Sequence, residues 1–185
     1  MDMNFLKNEG LGFVSGSTNQ KHKTDLTNKL EEIPLAHLPR QIVSSFKNGM
    51  YKTSRTIDNV VLYRVYGRRY KEDVGAAALG AFATTEFAES RIDVKIRLAL
   101  DPVWHNAKLV EEKIIVPCGV ILNIGKVAPI KLRTGTILPG GADQVLLPQN
   151  WPKAWIAGYR EVTSKPLWEY PEYFKAEPKC YNKKK

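Results

Sequence analysis

The sequence predicts an α+β domain. Three observations carry that reading: apolar residues at helical spacing are confined to residues 26–47 and 86–98, runs rich in β-branched and aromatic residues dominate residues 109–162, and Gly and Pro punctuate those runs. Residues 1–25, rich in Asn, Lys, Ser, Thr and Gly and without sustained periodicity, read as a flexible leader. Residues 26–33 and 39–47 predict two short helices within a helical N-terminal extension over 26–56. Pro39 suits a first helical turn there, and Gly49 a terminator. The main domain then spans 57–165. It opens with the strand Val60-Val61-Leu62-Tyr63-Arg64-Val65-Tyr66-Gly67, whose alternation sets Leu62, Arg64 and Tyr66 on one face.

After a basic loop, Gly80-Ala81-Phe82-Ala83-Thr84 is a short extended piece, and Thr84 or Thr85 is placed to cap a helix over 86–98. Ala88, Ile92 and Ile96 would form its buried stripe, with Glu89, Asp93 and Arg97 outward. Strands follow at 113–117, 120–125 and 143–148, with a turn at Cys118-Gly119. A further strand over 154–162 comes after a Trp151-Pro152 corner, and residues 166–185 form a basic tail ending in Lys183-Lys184-Lys185.

The 185 residues are enough for one domain with a substantial core, and 43% hydrophobic content fits a globular chain. Net charge is +9, distributed as about +4 over 1–75, +1 over 76–150 and +4 over 151–185. A nearly neutral middle argues against a dense phosphate channel there, while the basic flanks suit nucleic acid or an acidic protein partner. Cys118 and Cys180 alone exclude a disulfide framework and a zinc knuckle, although a single bridge between them stays open. No apolar run approaches the ~18 residues of a membrane span, and no basic-then-apolar signal pattern opens the chain. No His, Cys or Asp cluster has metal-ligand spacing, so no metal is expected.

Two segments carry the candidate chemistry. Arg64 sits within a strand, and its planar fork suits a pyrophosphate; a structural ion pair is the other reading of an arginine there. Gly140-Gly141 form a loop that permits positive φ and close backbone approach, followed by Asp143 and Gln144 on a strand. Alternation turns Asp143 to the face opposite Gln144 unless a bulge reverses the register.

Read in order, Tyr63-Arg64-Val65-Tyr66-Gly67, Gly80-Ala81-Phe82-Ala83-Thr84, Leu98-Ala99-Leu100-Asp101-Pro102 with Trp104 and Asn106, Lys113 to Gly119, and Gly140-Gly141-Ala142-Asp143-Gln144-Val145 carry a resemblance. The stretch 57–162 resembles the C-terminal toxin domains of bacterial polymorphic and contact-dependent inhibition systems. More broadly, it is similar to the tuberculosis necrotizing toxin group of the ADP-ribosyltransferase-like fold. The resemblance implies two small, mostly antiparallel sheets around a cleft that holds NAD(P) as substrate, with reaction at the nicotinamide–ribose bond and no cofactor beyond it. It implies catalytic roles for Gln144 and Arg64. It also implies binding by Arg64, Tyr66, Gly80, Phe82, Thr84, Gly140 and Gly141, with Phe82 as plain core the equal alternative. An amide at Gln144, where protein-modifying transferases carry glutamate, fits transfer to water better than transfer to a protein. NAD(P) hydrolysis is therefore the first reading and mono-ADP-ribosylation of a protein the second. A toxin of this kind implies a cognate, acidic immunity protein and delivery from a larger secreted or surface protein into a target-cell cytoplasm.

Two other classes compete. A nuclease would use the Arg68-Arg69-Tyr70-Lys71 loop with His105 beside Lys108, but it lacks a second well-placed histidine, and His22 and His37 lie outside the matched stretch. A binding module would expose Trp151, Trp155 and Trp168 to a partner.

Overall fold

Ten strands and two short helices build the described part of the chain, which in this computed structural model comprises residues 23–67, 81–104 and 110–162. The elements are β1 (Leu30–Glu32), α1 (Arg40–Val43), β2 (Phe46–Thr56), β3 (Val60–Tyr66), β4 (Phe82–Ala83) and α2 (Arg91–Arg97). A 3-10 turn (Pro102–Trp104) precedes β5 (Val110–Val116), β6 (Ile121–Val127), β7 (Ile130–Lys131), β8 (Ile137–Leu138), β9 (Asp143–Leu146) and β10 (Ile156–Glu161). Pairing is antiparallel throughout: β1-β2-β6-β9-β4 form a five-stranded sheet, β10-β5-β3 a three-stranded one, and β7-β8 a hairpin.

The two main sheets meet at one seam. Tyr63 and Thr84 exchange backbone hydrogen bonds of 2.8 Å each way, tying β3 to the segment after β4. Behind that seam Val60, Leu62, Ile114 and Val116 of the smaller sheet pack against Ala83, Leu122, Val145 and Leu147. Leu62 is fully buried in this core, and Arg64, two residues along the same face, emerges where the core ends.

The strands expected from β-branched runs at 60–67, 113–117, 120–125, 143–148 and 154–162 are present as β3, β5, β6, β9 and β10, and Cys118-Gly119 is a turn with Gly119 at φ +87°. The expected helical extension over 26–56 is corrected. Residues 30–32 are an edge strand, only one turn of helix remains at 40–43, and residues 46–56 are a strand inside the five-stranded sheet. Here long-range pairing overrides the short helical spacing: Leu30–Glu32 pair with Ser54–Thr56, and β2 pairs with β6. At the end of the expected leader, Thr24 N donates to Thr85 O and Lys23 forms a β-bridge with Glu86.

The helix expected over 86–98 is shortened to Arg91–Arg97. Its cap is Ser90, whose hydroxyl accepts from Asp93 N at 3.1 Å, rather than Thr84 or Thr85. Ile92 is 72% exposed and Ile96 39%, whereas Val94 is buried, so the apolar stripe runs through Val94 instead. The cause lies in Ala88. Its N–H donates to Glu111 and its carbonyl accepts from Arg160, and these two side chains form a buried ion pair at 2.7 Å between β5 and β10. The Ala88 carbonyl, which a helix over 86–98 would use to accept from Ile92 N, is instead taken by Arg160.

Trp151 is buried in the core and stacks on Trp155, with centroids 6.1 Å apart, so it is unavailable to the partner surface that a binding module would need. Trp168, Cys180, residues 1–22, the 68–71 loop, His105, Lys108 and the basic tail lie outside the described residues. No described helix is long and apolar enough to cross a membrane.

Candidate functional site

Where the sheets part beyond the core, a cleft of about 390 Å³ opens. That volume lies in the range of roughly 300–1,000 Å³ common for small-molecule sites. Arg64 lines it from the three-stranded sheet, Phe82 and Gln144 from the five-stranded one, and Thr84 from the segment after β4. Ser44 and Ser45 close one end, while Trp104, 58% exposed, stands at the rim with Leu98 and Leu100. A mostly apolar wall with a few polar groups suits a ligand that is part aromatic and part hydroxylated.

Arg64 is fixed within its own sheet. The register sets it opposite Glu112, its Nη1 lies 3.4 Å from Glu112 Oε1, and its guanidinium sits 5.6 Å from the centre of the Tyr66 ring. Burial pulls the arginine below its ordinary value, and Glu112 beside it acts in the opposite direction. Burial also pushes Glu112 up to about 7, against the attraction of Arg64. Arg64 thus stands in an ion pair and also lines the cleft. Tyr66 is buried beside it and is not among the residues that line the cleft.

Gln144 projects from β9 opposite Gly125 of β6. A Cβ on Gly125 would fall 2.7 Å from Phe46 Cδ1 and 2.5 Å from the Met50 carbonyl, so glycine there admits the buried Phe46 ring. That ring meets Phe82 edge-on at 6.4 Å. Gln144 Nε2 donates to Ser45 Oγ at 2.8 Å. Its neighbour Asp143 points to the other face, as alternation requires, where Lys23, Lys126 and Thr85 hold its carboxylate. Burial pushes Asp143 up, but those three partners outweigh it and leave the carboxyl below its ordinary value. No bulge intervenes in the β6–β9 register, so Asp143 supplies no carboxylate to the cleft.

The Gly-Gly loop has the expected positive φ, +65° at Gly140 and +91° at Gly141. Neither residue lines the cleft. A Cβ on Gly140 would sit 2.7 Å from the carbonyl oxygens of Val127 and Ala128, so the glycine lets the loop press on the backbone that forms the cleft wall. Gly80 lies outside the described residues, as does His105. Ser44, Ser45, Gln41 and the Val127-Ala128 wall are site residues that the sequence reading missed; Ser44 and Ser45 fall in a segment taken for a helix, and no motif marks them. Among the described residues no group of three His, Cys, Asp or Glu is placed to hold a metal.

No protein-family model matches the chain, and no curated protein matches it. Among solved structures, that of Tne2 in complex with Tni2 is similar, with a TM-score of 0.50 at 17% identity over 63% of this chain and 95% of that one. The two chains share a fold.

Proposed function

We propose that this domain is a toxin of the ADP-ribosyltransferase-like fold that hydrolyses NAD(P) to nicotinamide and ADP-ribose. The observation that carries the reading is the convergence of Arg64 and Gln144, 80 residues apart in sequence, on one cleft between two sheets. In this reading Phe82 packs on the nicotinamide ring and Arg64 neutralises phosphate or orients the ribose beside it. As the C1′–N bond breaks, nicotinamide leaves with the bonding electron pair and positive charge develops on the ribose. Gln144 hydrogen-bonds a ribose hydroxyl at that point, and water adds to C1′ with loss of a proton.

Asp143 is held on the far face, so the only acid-derived side chain that β9 offers the cleft is an amide. That favours water over a protein acceptor. A net charge of +9 favours an acidic immunity protein as partner, much as Tne2 is found in complex with Tni2. Delivery from a larger secreted protein into a target cell belongs to the same reading.

The test is nicotinamide release from NAD and NADP by the purified chain. Release is expected, and Arg64→Ala or Gln144→Ala, each confirmed as folded, should lower it by at least about a hundredfold. A chain that releases no nicotinamide even with cell extract added would remove both NAD readings. Release accompanied by labelling of an extract protein from radiolabelled NAD would select the transferase.

A further inference from the structure

Ser45 sits between two groups with opposite hydrogen-bonding needs. Its Oγ lies 2.7 Å from the Ile42 carbonyl and 2.8 Å from Gln144 Nε2. The carbonyl can only accept, so the single hydroxyl proton of Ser45 goes to Ile42, and what remains for Gln144 is a lone pair. Gln144 must therefore present its NH2 to Ser45. The network, rather than the nearly equivalent appearance of the two amide atoms, fixes which way the amide faces.

Ser45 cannot easily turn away. Its backbone N–H also reaches Ile42 O, at 3.1 Å, and its carbonyl accepts from Ala128 N at 2.9 Å, which fastens this segment to the Val127-Ala128 wall of the cleft.

We infer that Ser45 is a positioning residue that holds Gln144 with its carbonyl oxygen Oε1 directed to ligand in the cleft, making the site a reader of a hydroxyl donor. The inference rests on the proposed hydrolysis and deepens it. The oxygen of an amide carries the negative end of its dipole, so an amide locked in this sense accepts from a ribose hydroxyl and lies favourably towards the charge developing on that ribose. An amide in the opposite sense would direct its positive end there. Ser45 thus supplies by orientation part of what a carboxylate would supply by charge.

The experiment pairs kinetics with a readout that needs no activity. Ser45→Ala should lower kcat by about tenfold with KM for NAD little changed, because the oriented dipole acts mainly as charge develops. Ser45→Thr, which keeps the hydroxyl, should recover most of the loss. In nitrogen-15 NMR the side-chain amide signal of Gln144, assigned by its disappearance in Gln144→Ala, should shift in Ser45→Ala and return in Ser45→Thr. Wild-type kcat in a folded Ser45→Ala chain overturns the inference. If the wild-type chain releases no nicotinamide, the hydrolase reading falls by itself, and the NMR comparison alone decides whether Ser45 sets the amide. An unmoved Gln144 signal in Ser45→Ala, or equally a Ser45→Thr chain no better than Ser45→Ala, rejects it.

Discussion

Arg64 and Gln144 line one cleft from two sheets, and opposite kinds of force hold them. Arg64 is held by charge from the strand beside it: Glu112 is its register partner, and both are largely removed from water. Gln144 is held by neutral hydrogen bonds from a segment 99 residues away, through Ser45 to Ile42. The charged side responds to pH and tolerates little change in its partner. The neutral side responds to the shape of the backbone around it. One site thus depends on electrostatics at one wall and on steric fit at the other.

The largest expected effect is on the neutral wall. Gly140→Ala forces a side chain into φ +65° and places a Cβ against two carbonyl oxygens of the Val127-Ala128 backbone, which cannot swing aside as a side chain would. Overpacking of about 1–3 kcal/mol and a left-handed penalty of roughly 1–2 kcal/mol together predict a loss of about 3 kcal/mol. Because Ala128 N is bonded to Ser45 O, the strain reaches the Gln144 side first. Denaturant unfolding measures the loss; a Gly140→Ala chain as stable as wild type would show that the loop yields and that shape does not govern this wall.

The next effect belongs to the charged wall and is a matter of pH. Glu112 titrates at about 7 in the folded chain against an ordinary 4.5, so folding favours its protonated form. Its contribution to stability is full below about pH 4.5 and is lost as pH rises through 7. Glu112→Gln removes this titration, so across that window its melting temperature should fall less with rising pH than that of wild type. Parallel curves for the two chains from pH 4.5 to 8 would mean that Glu112 is not the group that titrates there.

The charged wall was legible in the sequence only on its Arg64 side, because the partner Glu112 lies 48 residues away, ahead of the strand expected over 113–117. β3 and β5 are β-branched runs, and alternation alone sets Arg64 on the face of Leu62. The neutral wall was only half legible. Gln144 and the Gly-Gly loop stand out, but β2 does not: its residues 46–56 carry Lys, Asn, Thr, Ser and Arg, and the ones it buries are largely polar. Thr53 bonds Asn123 at 2.7 Å and Thr56 bonds the Pro117 carbonyl at 2.7 Å, so the strand is fastened by cross-strand hydrogen bonds that a hydrophobic pattern does not register. Ser45, at its entrance, was hidden by the same polarity. The shortened α2 has a related cause, since Glu111 and Arg160 meet Ala88 only after the chain has folded.

The smallest effect sharpens the contrast between two neighbours on β9. Asp143 is charged and Gln144 is not, yet it is the amide that lines the cleft. Asp143→Asn weakens the contacts with Lys23 and Lys126, both of whose side chains are nearly half exposed, so each contact is worth at most about 1 kcal/mol. The carboxyl lies below its ordinary 3.8, so this contribution is present at neutral pH and disappears only as pH falls through that depressed value. At pH 7 the variant should therefore melt slightly lower and release nicotinamide at close to the wild-type rate. A fall in rate comparable to that of Gln144→Ala, with folding intact, would return the carboxylate to the chemistry and place the acidic group of this site one residue earlier on the strand.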